Sequence, residues 1–160
     1  DTAGAYCGLE AEERGQGEAI ARNLIEMAGL NTQIIAVVIG EGGSGGALAL
    51  GVADRVFALE NSYYSVISPE GCASILLRDS SKAPEAAERL KLDSSNLLEL
   101  KIVEEIIPEP LGGAHRDYKM TSDNIKKVVM DTLKILREKS IDELKEERYM
   151  KFRELGEFSE

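Results

Sequence analysis

The sequence predicts an α/β fold, on three observations. Short apolar runs rich in Val and Ile, at Ile34–Ile39, Arg55–Leu59 and Val103–Ile107, alternate with segments of helical period. Five glycines fall within the seven residues from Gly40 to Gly46, at the end of the first run. Two long amphipathic segments close the chain. The strands are short and their connections irregular, unlike the even rhythm of a doubly wound sheet.

The elements follow in order. Residues 10–29 carry Ile20, Leu24, Ile25 and Met27 near helical spacing, with Glu and Arg on the other face and Gly29 as a stop. Ile34–Ile39 reads as a buried strand. Ala47–Val52 has room for one or two helical turns. Arg55–Leu59 is a second strand and Tyr63–Ile67 a third extended piece. Ser68-Pro69 is a helix start, with Ser68 as cap and Pro69 in the first turn, running to about Leu77. Ala83–Leu90 and Ser95–Leu100 are short helices. Val103–Ile107 is a strand stopped by Pro108 and Pro110, and Leu111–Lys119 is a loop. Thr121–Lys139 and Ile141–Leu155 are long helices. Asp142 and Glu143 favour the start of the last one through its dipole. On the first of the two, Ile125, Val128, Val129, Leu133 and Leu136 share a face that must pack on the core or on a partner.

Composition narrows the function classes. The 160 residues suit one domain with one core. A net charge of −10 argues against a nucleic-acid surface, which needs clustered Lys and Arg, and weakly against anionic membranes. No apolar run approaches the ~18 residues of a membrane span, and no signal-peptide pattern is present. The two cysteines, Cys7 and Cys72, lie far apart without metal-ligand spacing, and His115 is the only histidine. We therefore expect no metal site and a reduced, cytoplasmic setting. The opening Asp1-Thr2-Ala3-Gly4 lacks an initiator Met and reads as a strand end turning into a loop, so we expect the sequence to begin inside a fold.

The glycine stretch carries the chemistry. A backbone without side chains at a strand end can approach a ligand closely. Its N–H groups, followed by a helix start, form an anion or oxyanion site. The bland alternative is a tight turn with no ligand. Gly40-x-Gly42-x-x-Gly45 matches a dinucleotide fingerprint, and Glu60 stands where a ribose-binding acid belongs. Only nine residues, Gly46 to Asp54, then precede the next strand, which is short for a parallel crossover. A phosphate-binding P-loop is excluded because Gly46 takes the place of its Lys. Gly42-x-Ser44-x-Gly46 matches a nucleophile elbow, with His115 later in the chain. A serine hydrolase built on Ser44 thus remains an alternative, provided His115 comes near it.

Several segments together carry a resemblance. They are Asp1-Thr2-Ala3-Gly4-Ala5-Tyr6, Ala11-Glu12-Glu13-Arg14-Gly15-Gln16, Gly40 to Ala47, Tyr64 to Ser74, and Ile107-Pro108-Glu109-Pro110-Leu111-Gly112-Gly113-Ala114-His115-Arg116. They resemble the α-subunit family of bacterial acetyl-CoA carboxylase carboxyltransferase. The resemblance runs over nearly the whole chain but covers only the carboxy-terminal half of the family's subunit. It implies a crotonase-like fold of repeated β-β-α units, here one domain over residues 1–160. Residues 121–155 would be its helical end, and the amino-terminal part of the core would be missing.

The same resemblance implies a reaction. A carboxyl group passes from carboxybiotin, held on a biotin carrier protein, to acetyl-CoA, giving malonyl-CoA. Backbone N–H groups of Gly45 and Gly46 would form an oxyanion hole on the biotin side. Gly42, Gly43, Ser44, Gly4, Ala5 and Tyr6 would line that side, although Tyr6 reads equally as a half-exposed packing aromatic. A zinc-ribbon β subunit would supply the acyl-CoA side in an assembly of two α and two β subunits, working with a biotin carboxylase and a biotin carboxyl carrier protein. Enoyl-CoA hydratases of this fold carry a catalytic Glu where Leu48 stands here. Glu70, beside Gly71, resembles their second carboxylate, and either acts in catalysis or braces its loop. Another crotonase-fold acyl-CoA enzyme is a further alternative.

Overall fold

The computed structural model describes residues 1–156; the last four residues of the expected domain lie outside the described residues. Three parallel strands form the central sheet: β1 (Ile35–Val38), β3 (Arg55–Leu59) and β5 (Glu105–Ile107), in the order β1-β3-β5. Ile35 pairs with Arg55 and Val38 with Ala58, while Phe57 pairs with Glu105 and Leu59 with Ile107. β3 is the middle strand, and Val56 to Leu59 are fully buried. β1 is half-buried rather than buried, because it lies at the sheet's edge.

The sheet has an apolar core on each face. On one side Ala53, Val56, Ala58, Leu97 and Val103 cluster, with Tyr64 packed against them. On the other, Phe57, Leu59 and Ile107 meet Ile125 and Val128 of α7 (Tyr118–Leu136). The apolar stripe expected on that helix therefore covers the sheet. Two other helices match their expected spans within a residue or so: α5 (Ala83–Leu90) and α6 (Ser94–Glu99). α4 (Pro69–Cys72) begins as expected, with Ser68 Oγ accepting from the Gly71 N–H at 3.1 Å, and then passes into a π-helical turn, Ala73–Leu77.

Other expectations are corrected. The helix over 10–29 is two helices, α1 (Leu9–Glu13) and α2 (Gln16–Gly29), because Gly15 takes a left-handed φ of 75° between them. The strand at 103–107 starts late. The Val56 N–H donates to the Glu104 carboxylate at 2.6 Å instead of to a strand carbonyl. The loop after Pro110 contains a 3-10 turn, Ala114–Arg116, and α7 begins at Tyr118, capped by Asp117. The glycine stretch is not only a turn. It contains a strand, β2 (Glu41–Gly43), and opens a helix, α3 (Ser44–Gly51). The crossover is therefore longer than a count from Gly46 gives. The connection between the parallel neighbours β1 and β3 runs from Ile39 to Asp54 and includes the glycines.

α8 (Ile141–Arg153) opens with a capping box between Ser140 and Glu143. It is fastened to the sheet by Arg148, which is 1% exposed. Its guanidinium donates to Asp54 Oδ1 at 2.8 Å, to Thr32 O at 2.9 Å, and to the Met27 and Leu30 carbonyls at the end of α2 at 2.8 and 3.2 Å. Asp54 in turn accepts from the Ile34 N–H at 2.6 Å, at the entry to β1. Among the described residues, no helix is long and apolar enough to cross a membrane.

Candidate active site

A second, smaller ladder carries the glycines. β2 pairs in parallel with β4 (Tyr63–Ser65), Glu41 opposite Tyr63 and Gly43 opposite Ser65. On its other side Thr2 forms a parallel bridge to Gly42. The Thr2 N–H donates to Glu41 O at 2.7 Å, and the Gly43 N–H donates to Thr2 O at 2.9 Å. Asp1 Oδ1 accepts from the Glu41 N–H at 2.8 Å. Thr2 thus flanks the two-stranded ladder through an isolated bridge.

That pairing explains the residue type at each position. A Cβ on Gly43 would overlap the Ala3 carbonyl oxygen, and one on Gly42 would lie 2.8 Å from the Tyr63 carbonyl oxygen. A Cβ on Gly46 would stand 3.1 Å from Gly4 C and 3.2 Å from Ala5 N. Gly4 itself has a φ of 126°, where side chains are strained. Gly45 differs. Its nearest neighbour is the Ile20 side chain at 3.8 Å, an ordinary contact. The structure therefore brings Gly4 and Ala5 directly against the glycine loop. The close backbone approach is made by Gly43 and Gly46 rather than by Gly45.

Gly45 and Gly46 lie in the first turn of α3, where backbone N–H groups have no carbonyl four residues earlier. No side chain caps them. Among the described residues no backbone carbonyl outside the helix accepts from them. Two adjacent N–H groups at a helix start, with the dipole behind them, suit an oxygen carrying negative charge. Ser44, at the helix start, holds a φ of 56° and faces Gly4.

The remaining candidates fall elsewhere. Tyr6 is 69% exposed, its ring laid over Gly8 so closely that a Cβ there would overlap it. Leu48 is half-exposed on α3. Glu70 is exposed in the first turn of α4 and its carboxylate makes no hydrogen bond among the described residues. The loop is braced by Ser68 instead, and Gly71 is pressed against Ile67, whose Cγ1 would lie 2.9 Å from an added Cβ. His115 stands on the 3-10 turn after β5, in an open concavity of about 470 Å³ with Ile39, Asn61 and Glu109. Ser44 is not among the residues lining that concavity, and among the described residues no hydrogen bond joins it to His115. No cluster of metal-ligating side chains exists among the described residues.

Sequence reasoning missed Glu109 and Gln16. Glu109 accepts from the Asn61 N–H at 2.9 Å and the Ala114 N–H at 2.7 Å, tying the loop after β5 to the end of β3. Burial by itself pushes its pKa up. The hydrogen bonds at Asn61 and Ala114, with His115 nearby, more than offset that and hold the carboxyl below the ordinary glutamate value. Gln16 bonds the Tyr6 backbone twice. Both lie inside the motifs quoted above, but nothing in their spacing marks a side chain reaching back to main chain.

The parallel ladders and the glycine-headed helix define a crotonase-type α/β protein. A Pseudomonas malonate decarboxylase hetero-dimer shares the fold at a TM-score of 0.64 and 19% identity, over 88% of this chain and 54% of that one. Transcarboxylase 12S does so at a TM-score of 0.59 and 23% identity, over 68% of this chain and 23% of that one. An enoyl-CoA hydratase/isomerase from Marinobacter aquaeolei follows at 0.55 and 14%, over 94% and 56%.

Within that class, residues 1–156 match the family described as acetyl co-enzyme A carboxylase carboxyltransferase-like, and the chain belongs to it. Carboxyl transferase α subunits of acetyl-coenzyme A carboxylase from Fusobacterium nucleatum and Protochlamydia amoebophila are each 60% identical, over 99% and 100% of the chain. The chain spans about half the length of these curated relatives, 51% of each.

Proposed function

We propose that this chain contributes the biotin side of an acetyl-CoA carboxylase carboxyltransferase. The observation that carries the reading is the start of α3. Gly45 and Gly46 offer uncapped N–H groups there, and Gly46 is seated against the Gly4–Ala5 backbone. In the proposed reaction carboxybiotin, presented by a biotin carboxyl carrier protein, supplies the carboxyl group. Its N–C bond breaks, and a new C–C bond forms at the methyl carbon of acetyl-CoA. The methyl proton returns to the ureido nitrogen, so biotin and malonyl-CoA result.

The chain's own residues have three tasks in this scheme. The Gly45 and Gly46 N–H groups hold the ureido oxygen as negative charge gathers on it. The Gly4–Tyr6 backbone forms the wall beside them. Glycine at 42, 43 and 46 keeps that wall close enough to be shared. No general acid or base is needed, which suits Leu48 at the hydratase Glu position. Each oxyanion donor is worth about 2.7–4 kcal/mol in comparable sites. The acyl-CoA side would come from a zinc-ribbon β subunit, in an assembly of two α and two β subunits served by a biotin carboxylase. A cytoplasmic setting follows from that partnership.

The test uses the reverse half-reaction, malonyl-CoA decarboxylation with free biotin, by the full chain assembled with its partner subunit. Gly46→Val should assemble and lose its rate, because the added methyls meet backbone that has little room to retreat. A Gly46→Val enzyme that assembles normally and keeps its rate sinks the oxyanion reading.

A further inference from the structure

We propose that Gln16 is a positioning residue for the donor side of the site, acting through the main chain of Tyr6. The inference rests on the reading that Gly4–Tyr6 form that side. Gln16 is the first residue of α2, immediately after the left-handed Gly15. Its side chain bonds the same residue twice. The Tyr6 N–H donates to Gln16 Oε1 at 3.0 Å, and Gln16 Nε2 donates to Tyr6 O at 2.7 Å. The amide therefore holds both backbone groups of Tyr6 at once.

Little else holds this stretch beyond the ladder. Upstream, the Gly4 N–H donates to Thr2 Oγ1 at 3.2 Å. Downstream, Tyr6 is 69% exposed, with its ring laid over Gly8. Between them lie Gly4 and Ala5, the backbone pressed against Gly46. The pair of hydrogen bonds from Gln16 fixes where Gly4–Ala5 stand relative to the α3 N–H groups, and so the width of the space between them.

The chemistry selects glutamine. The task needs a donor and an acceptor on one planar group at this reach. Glutamate offers two acceptors when ionised, methionine offers neither partner, and asparagine is one methylene shorter. In a Gln16→Glu variant the ionised carboxylate would keep the bond from the Tyr6 N–H but set a negative oxygen against the Tyr6 carbonyl. Protonation restores a donor there, and that neutral-form hydrogen bond raises the carboxyl pKa.

The experiment measures malonyl-CoA decarboxylation with free biotin by the full chain assembled with its partner. Gln16→Met should raise the KM for free biotin about tenfold, the size of one lost hydrogen bond. The KM for malonyl-CoA should stay within about twofold. Gln16→Glu, which keeps the bond from the Tyr6 N–H and loses the one to its carbonyl, should also raise the KM for free biotin and leave that for malonyl-CoA within about twofold. An assembled Gln16→Met enzyme with wild-type biotin KM overturns the inference, as does an equal rise in both KM values. If Gln16→Met does not assemble, the Glu variant decides, and a wild-type biotin KM in it, or an equal rise in both KM values, overturns the inference. Gly46→Val in the same assay separates the two readings. If that variant is inactive while Gln16→Met is normal, only the Gln16 inference fails. If Gly46→Val keeps its rate, the oxyanion reading fails first.

Discussion

In the β1-β3-β5 sheet, side chains do the holding. Val56 to Leu59 are buried between two apolar clusters, and Arg148 ties α8 to Asp54 and to the end of α2. In the ladder of Thr2, β2 and β4, the middle strand has no side chains at Gly42 and Gly43. Gly42, Gly43 and Gly46 stand where any Cβ would press on neighbouring backbone, and Asp1 and Thr2 contribute hydrogen bonds. The first arrangement gives a stable platform. The second gives closely spaced backbone with N–H groups left over, which is what an anion site requires. The molecule thus separates a side-chain-packed sheet from a glycine-lined backbone ladder.

The largest expected effect lies on the platform. Arg148→Met removes the partner of a buried carboxylate and the donor to the Met27, Leu30 and Thr32 carbonyls. Breaking a buried pair from one side typically costs about 3–5 kcal/mol. Denaturant unfolding of the assembled protein should show a loss of that size. A loss below about 1 kcal/mol, the range of exposed pairs, contradicts the role given to Arg148.

A smaller and more selective effect belongs to the glycine ladder. Gly43→Ala must push the Ala3 carbonyl away and open the bridge to Thr2, so a loss of about 1–3 kcal/mol is expected from the overpacking. Gly45→Ala meets only Ile20 at 3.8 Å and lies within α3, where alanine replaces glycine with a gain of about 0.5–1 kcal/mol. Opposite signs at two glycines two residues apart would sharpen the contrast between backbone approach and mere helix membership. Equal losses at both would break it.

Much of the platform was legible in the sequence. The run Arg55–Leu59 is apolar after its first residue because its strand is central, and Ser68-Pro69 marks a helix start by cap chemistry alone. β2 was not legible. Glu41-Gly42-Gly43 has no strand propensity, and its pairing depends on Thr2 and Tyr63–Ser65, far away in the chain. For the site, glycine composition pointed to Gly42–Gly46, and the resemblance to Gly4–Tyr6. The distinction between Gly45 and Gly46 needed coordinates, since it depends on which of them faces the Gly4–Ala5 backbone. Gln16 and Glu109 escaped because a polar side chain bonding distant main chain leaves no periodic trace. Arg148 escaped similarly, for charged residues on a terminal helix read as solvent-facing.

The smallest effect is electrostatic and sits where the two sheets come together. Glu109 follows β5 and holds the Asn61 and Ala114 N–H groups, and its carboxyl titrates below the ordinary glutamate value. When the protein unfolds, those bonds are lost and the pKa returns to its usual level near 4.5. The unfolded chain therefore takes up the proton first as pH falls. The stability due to Glu109 is fully present above the unfolded value and disappears as pH drops through the folded one. Glu109→Gln places an amide NH2 against one of the two N–H donors and does not titrate. The stability difference between wild type and Glu109→Gln should narrow steadily as pH falls below about 4.5. Urea unfolding of the assembled protein across that range reads it directly. A difference that stays constant down to about pH 3 means that the Glu109 bonds do not hold the loop to β3.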